Sequence, residues 1–257
     1  MNESVDRPLM LTRDGGATIA YHRLSGKGPG VVFMTGFMSD MTGSKALALE
    51  ELCKARGQAF LRFDYRGHGA SSDSFRNGCI GDWAEDAILA LDELSEGPQV
   101  LVGSSMGGWI MLLTALARPL RVAGLVGIAP APDFTENLIW PELTEAQRQT
   151  VASQGFVEIP SQYGEAPYLI TRRLIEDGRT HLLLNKGPLP INVPVRIIQG
   201  MEDKDVPWKT ALAIQNAVES QDVEITFVKN GGHRLSEPED LSRLVRTVAA
   251  LLDQVEV

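Results

Sequence analysis

The chain has 257 residues, of which 44% are hydrophobic, 22% charged and 6% aromatic. This composition excludes an extended disordered chain, and the length suits one large α/β domain carrying at most a small insertion. The formal net charge is −9, and no basic stripe with interleaved aromatics is present, which argues against a nucleic-acid surface.

The opening stretch MNESVDRPLM lacks the apolar core of a secretory signal, and Glu3 and Asp6 do not suit an acid-poor mitochondrial transit peptide. No apolar run is long enough to cross a bilayer. A cytoplasmic location is therefore expected, with the oligomeric state left open. MLTRDGGATIAYHRL (10–24) predicts a hairpin, because Asp14-Gly15-Gly16 supplies turn chemistry between two extended runs. GVVFMT (30–35) is a short apolar run of the kind found in buried parallel strands. SKALALEELCKARG (44–57) has helical spacing and ends at Gly57. AFLRFDY (59–65) is a further strand, and Asp82 followed by Glu85 reads as the cap of a helix running to about Ser95.

QVLVG (99–103) is a strand and MGGWIMLLTALARP (106–119) a helix, with Trp109, Leu112, Leu113 and Leu116 on one face. RVAGLVGIA, VPVRIIQG and VEITFVK are three more strands. Helices begin near Pro207 and near Pro238, the last with Leu241, Leu244, Val245, Val248 and Leu252 at apolar positions. The alternation implies βαβ units, and hence a mostly parallel eight-stranded sheet with helices on both faces. Residues from about 132 to 190 break the pattern. They carry helical spacing and no good strand, so a helical cap inserted into a single domain spanning 1–257 is expected.

A sheet of this kind presents ligands at the carboxyl ends of its strands. Gly103-Ser104-Ser105-Met106-Gly107 lies at such an end and matches G-x-S-x-G. The pattern serves a tight strand-to-helix turn that pushes a serine hydroxyl outward, while the glycines let strand and helix approach closely. Only Ser105 has glycine two positions away on both sides, so it is the candidate nucleophile.

A serine hydroxyl needs a base, and the base needs a carboxylate to orient it. The chain has four histidines. His233, in the loop after the last strand, fits the chain order Ser…Asp…His. The acid is expected at the end of VPVRIIQG, where Asp203 is favoured and Glu202 and Asp205 are close rivals. Two backbone N–H groups are expected to hold the oxyanion: Met106, after the nucleophile, and Phe37, in the TGFMSD loop after GVVFMT.

Other motifs have plainer readings. DYRGHG (64–69) offers Arg66 and His68 but reads as a structural loop beside the site. His181 reads as a polar residue on an exposed helix, and Arg172, Arg173 and Arg179 as a solvated face in preference to a substrate-carboxylate site. Gly26, Gly28 and Gly30 precede a strand, so they are no dinucleotide fingerprint. Cys53 and Cys79 form no metal or redox spacing, and Cys53 reads as a buried inert thiol. No metal and no cofactor are expected.

The stretches GVVFMTGFMSDMTGSKALALEELCKARG, LDELSEGPQVLVGSSMGGWIMLLTALARP and VPVRIIQGMEDKDVPW closely resemble the α/β-hydrolases of the animal mitochondrial palmitoyl-protein thioesterase and acyl-glucuronide esterase group. The likeness runs from about residue 18 to the C-terminus and is weakest in the insertion. It implies an α/β-hydrolase fold with a lid, Ser105 as nucleophile, Asp203 as acid, His233 as base and oxyanion donors near Phe37 and Met106. It also implies hydrolysis of fatty-acyl thioesters and acyl-glucuronide esters, with small-molecule or acyl-protein substrates. The same triad serves carbon–carbon bond hydrolases and peptidases, which remain the alternative, and a non-catalytic binding protein on this fold is a third reading.

Overall fold

The computed structural model describes residues 7–13, 15–160, 167–184 and 186–256. The chain opens with the antiparallel pair β1 (Leu9–Thr12) and β2 (Thr18–Leu24). Gly15 and Gly16 take φ of 87° and 88° between them, a backbone region that glycine reaches without strain. Asp14, the first residue of the expected turn, lies outside the described residues. There follow β3 (Lys27–Met34), α1 (Ser44–Arg56), β4 (Gln58–Phe63), α2 (Ile80–Leu94), β5 (Gln99–Ser104), α3 (Met106–Ala117) and β6 (Val122–Ile128). Gly26, Gly28 and Gly30 lead into and start β3, ahead of a strand.

The segment after β6 contains α4 (Trp140–Glu142), α5 (Glu145–Gln154), β7 (Phe156–Ile159), β8 (Tyr168–Thr171) and α6 (Arg172–Thr180). The chain then rejoins the sheet through β9 (Val195–Gly200), α7 (Lys209–Ala217), β10 (Val223–Val228) and α8 (Pro238–Val255).

The sheet has eight strands in the order β1-β2-β4-β3-β5-β6-β9-β10. β2 runs antiparallel to both neighbours, and the remaining pairs are parallel. From β3 the chain steps outward to β4 and then crosses back to β5, so strand order reverses there. Met34 at the end of β3 pairs with Gly103 near the end of β5. The loops after these two strands therefore open at the switch point, where open α/β sheets bind ligands.

One core lies between the sheet and α2, α3 and α7, and holds Trp83, Trp109 and Ile214. The other lies under α1 and α8, and holds Leu49, Cys53, Leu244 and Val248. Three expectations need correction. The helix α3 does not bury a single face: Trp109, Ile110, Met111 and Leu112 are all fully or nearly fully buried, because the sheet, α2 and the inserted segment surround it.

Asp82 does not cap α2. The helix starts two residues earlier, and the Asp82 carboxylate instead binds Arg66 and Arg173, at 2.7 and 2.8 Å, a charge-assisted pairing stronger than a neutral cap. The insertion is not all helical either. Its β7 and β8 form a separate antiparallel pair, Phe156 opposite Thr171 and Ile159 opposite Tyr168. No helix among the described residues is long and apolar enough to cross a membrane.

Candidate active site

Ser105 stands between β5 and α3 with φ 54° and ψ −119°. For a residue with a Cβ this is a strained conformation, costing about 1–3 kcal/mol, and surrounding contacts must hold it. Here its N–H donates to the Ile128 carbonyl at 2.9 Å, and its own carbonyl accepts from Gly108 at 2.8 Å and Ala131 at 3.0 Å. The flanking glycines answer to close approach. A Cβ on Gly103 would collide with the Gly107 carbonyl, and one on Gly107 with the carbonyls of Met34 and Thr35. The turn thus aims the Ser105 side chain off the end of the sheet.

His233 Nε2 lies 3.0 Å from Ser105 Oγ, and His233 Nδ1 lies 2.9 Å from Asp203 Oδ2. The structure thus brings Ser105, Asp203 and His233 into one hydrogen-bonded line across 128 residues of sequence. Asp203 follows β9, and both its oxygens are occupied. Oδ1 accepts from the backbone N–H groups of Asp205 and Val206, at 2.9 and 2.8 Å. Oδ2 accepts from the Gln199 amide at 3.1 Å in addition to His233. Four donors converging on two oxygens suit a carboxylate, and a carboxylate holds the proton of His233 on Nδ1. Nε2 is then the acceptor facing Ser105. Of the two rivals, Asp205 donates its backbone N–H to Asp203.

Gln199 was not singled out in the sequence, where it is one polar residue in the strand VRIIQG. It is fully buried and also donates to the carbonyls of Val206 and Gly200. Asp203, Asp205 and His233 bring ligand-type atoms within 4.8 Å of one another. Within that group, His233 Nδ1 and Asp203 Oδ2 lie 2.9 Å apart.

The loop after β3 abuts the serine. A Cβ on Gly36 would touch Ser105 Cβ at 3.4 Å. The loop turns tightly, Ser39 N–H donating to the Gly36 carbonyl at 3.2 Å with Met38 at φ 53°. Phe37 anchors it through edge-on ring contacts with Phe75, Trp83 and Phe134, centroids 5.0, 6.1 and 5.5 Å away. Met106 opens α3, so its N–H belongs to the first helical turn, whose donors lack carbonyl partners within the helix.

Residues 31–244 match the model of the alpha/beta hydrolase family. The chain belongs to that family.

The hydrolase is 41% identical over 246 residues to the mitochondrial palmitoyl-protein thioesterase ABHD10 of Bos taurus, covering 95% of this chain and 80% of that protein. It is 40% identical to the Homo sapiens protein over the same span. The structure of alpha/beta hydrolase domain-containing protein 10 from mouse superposes with a TM-score of 0.90 at 39% identity, covering 97% of this chain and 99% of that one. A putative hydrolase from Agrobacterium vitis S4 gives the same TM-score and identity, covering 95% and 97%.

Two cavities of the hydrolase meet at Ser105, His233, Phe37 and Tyr168. One, of about 460 Å³, runs under the inserted segment and is walled by Phe134, Leu138, Ile139, Ile159 and Val206, with Asn137, Glu142, Lys204 and Asp205 also in its lining. The other, of about 410 Å³, is bordered by Thr35, Ser39, Asp40, Lys45, Arg234 and Ser236. A third depression of about 600 Å³, lined by Arg76, Arg172 and Arg173, lies apart from the serine.

The inserted segment is tied down at both ends. The Asp133 carboxylate accepts from Leu183 N–H at 2.8 Å and Leu184 N–H at 2.9 Å. Arg173 pairs with Asp82, and Arg179 with Glu136 at 2.7 Å, so these arginines serve the fold. His181 faces Asp177 at 3.5 Å, while its carbonyl accepts from the Trp109 indole at 3.1 Å.

His68 and Arg66 stand apart from the serine. Arg66 binds Asp82 and Asp86. His68 is wedged against Tyr65, Phe75 and Trp83, and burial drives its pKa down to about 4, so it stays neutral. Burial likewise pushes the thiols up, Cys53 to about 12 and Cys79 to about 11. Neither is a thiolate nucleophile at neutral pH.

Proposed function

We propose that the protein is a serine hydrolase that cleaves carboxylic esters or thioesters through an acyl-enzyme on Ser105. The observation that carries this reading is the 3.0 Å approach of His233 Nε2 to Ser105 Oγ, with Asp203 on the far side of the ring at 2.9 Å. Ser105 attacks the acyl carbon while His233 takes its proton. Asp203 keeps the imidazole in the accepting tautomer and stabilises the imidazolium that forms. The N–H groups of Phe37 and Met106 receive the oxyanion; losing one such donor typically costs ~10²–10³ in rate. The imidazolium then protonates the leaving alkoxide or thiolate. Water, deprotonated by His233, attacks the acyl-enzyme and releases the acid. No cofactor takes part.

The two cavities support a different side for each part of the substrate. The more apolar one beneath the insertion takes the acyl chain, and the one bordered by Asp40, Lys45 and Arg234 takes the alcohol or thiol. Relatives named palmitoyl-protein thioesterases support a fatty-acyl thioester as substrate. The cytoplasmic location expected from the sequence is kept as part of this proposal, although those relatives are named mitochondrial; fractionation of the source cells tests it. The test of the chemistry is a fluorophosphonate probe followed by peptide mapping. Labelling of Ser105, lost in Ser105→Ala, is expected together with turnover of acyl thioesters. A folded protein whose Ser105 stays unmodified would end the proposal.

A further inference from the structure

Lys45 is the second residue of α1, after the N-cap Gly43. A cation there faces the positive end of the helix dipole, and no acidic residue in the first turn offsets it. Burial and the nearby Arg234 guanidinium both work against its ammonium, Asp240 pulls the other way, and the pKa falls to about 8. An exposed lysine on a solvated face would suffer none of this. Its ammonium instead donates to the backbone carbonyl of Arg234, 189 residues away in sequence. Arg234 directly follows His233.

The loop bearing His233 needs such a hold. Gly231 and Gly232 precede the histidine, and Leu235 after it sits at φ 42°, a strained conformation for a leucine. Upstream the loop is fixed by Glu202 N–H donating to the Gly231 carbonyl at 2.9 Å. Downstream, Leu235 is buried in the core under α1 and α8, and the Arg234 carbonyl is held by Lys45. Because α1 starts where the Phe37 loop ends, one ammonium ties the element following the oxyanion loop to the loop of the base.

We infer that Lys45 is a positioning residue, which pins the His233 loop to the start of α1 through the Arg234 carbonyl and so keeps the imidazole on Ser105. This rests on the serine-hydrolase reading above. The groups facing Lys45 are Arg234 of the base loop, Asp240 of α8, and Asp40 and His233, which border the same cavity. Asp240 is itself paired with Arg243 at 2.7 Å. Loss of the proton from Lys45 turns a charged donor into a weaker neutral one, so the rate falls as pH rises through about 8.

The test compares Lys45→Met, which keeps the stem, with Lys45→Arg, which keeps charge and donors, on a neutral ester. For Lys45→Met, kcat drops about 10- to 100-fold with KM nearly unchanged, as for a small misplacement of a reacting group. Lys45→Arg recovers most of the rate, and its alkaline decline moves to higher pH. A folded Lys45→Met with wild-type kcat, or with the whole loss in KM, overturns the inference, as does Lys45→Arg behaving like Lys45→Met. If Lys45→Met fails to fold, the decision falls to Lys45→Arg: an alkaline decline still centred near 8 overturns the inference, and one moved upward supports it. Wild-type protein unlabelled at Ser105 by the fluorophosphonate sinks the hydrolase reading itself, whereas labelling of wild type and Lys45→Met at equal rates sinks only the role of Lys45.

Discussion

Asp203→Asn is the substitution whose consequence the geometry states most fully. The wild-type Oδ1 accepts two backbone N–H groups and Oδ2 accepts from His233 and Gln199. Asparagine has one oxygen and one amide nitrogen, so one of the two positions becomes a donor. Turning the nitrogen toward Asp205 and Val206 sets it against two fixed backbone donors. Turning it toward His233 sets it against one, the Gln199 amide, which is held in place by the Val206 and Gly200 carbonyls. The second arrangement wins. The introduced amide then donates to Nδ1 of His233, Nδ1 becomes an acceptor, and the ring proton moves to Nε2, where it points at Ser105.

A protonated Nε2 cannot accept the serine proton. The expected loss is about 10⁴-fold in kcat, or about 5.5 kcal/mol of transition-state stabilisation. The remaining donor–donor contact costs about 1–3 kcal/mol of stability, which lowers Tm by roughly 2–4 °C per kcal/mol in a chain of this size. Steady-state kinetics on an aryl ester, with a melting curve of the same preparation, measures both. Activity within about tenfold of wild type would refute the tautomer argument, since no smaller effect follows from a blocked base.

His68 tests the opposite case, a buried histidine outside the chemistry. Its folded pKa of about 4 lies below the ordinary value, so the unfolded chain binds the proton more readily. Stability is then full above pH 6.5 and falls as pH drops from there to about 4, by up to about 3 kcal/mol; His68→Phe flattens this part of a Tm–pH curve and leaves kcat unchanged. Asp133→Ala strips two amides of the inserted segment of their acceptor, and about 1–3 kcal/mol of stability is lost with a rise in KM for long acyl substrates. Gly103→Ala drives a Cβ into the Gly107 carbonyl, which cannot rotate away as a side chain would; a loss of about 1–3 kcal/mol or more is expected by chemical denaturation, together with slower fluorophosphonate labelling.

Much of the site was legible because its parts carry local signals. Ser105 sits in a glycine-framed strand-to-helix seam, Asp203 just beyond a strand end, His233 in a loop of the same kind, and Phe37 after GVVFMT. Short-range steric needs write such signals into the nearest few residues. Gln199, Lys45 and Asp133 left no such trace. Each acts on a partner that is either remote in sequence or, for Gln199 and Asp203, brought into line by the bend after β9. The strands β7 and β8 escaped for a related reason. They are four residues each, pair only with each other and show no clear alternation, so nothing within either segment separates it from a helical run. The single-face reading of α3 failed because local periodicity registers that a side chain is apolar but not how many neighbours will surround it.

The amino-acid order alone determined the alternation of strands and helices, the elbow at Ser105 and the sequence of hydroxyl, carboxylate and imidazole along the chain. These follow from hydrophobic spacing and turn chemistry, which act over a handful of residues. The tertiary structure alone decided that β3 lies between β4 and β5, that residues 105, 203 and 233 meet in one line, that two cavities diverge from the serine, and that a lysine in α1 bonds the loop bearing His233. Those outcomes depend on which distant surfaces bury each other, and that competition between packing and chain entropy is settled only when the whole sheet closes.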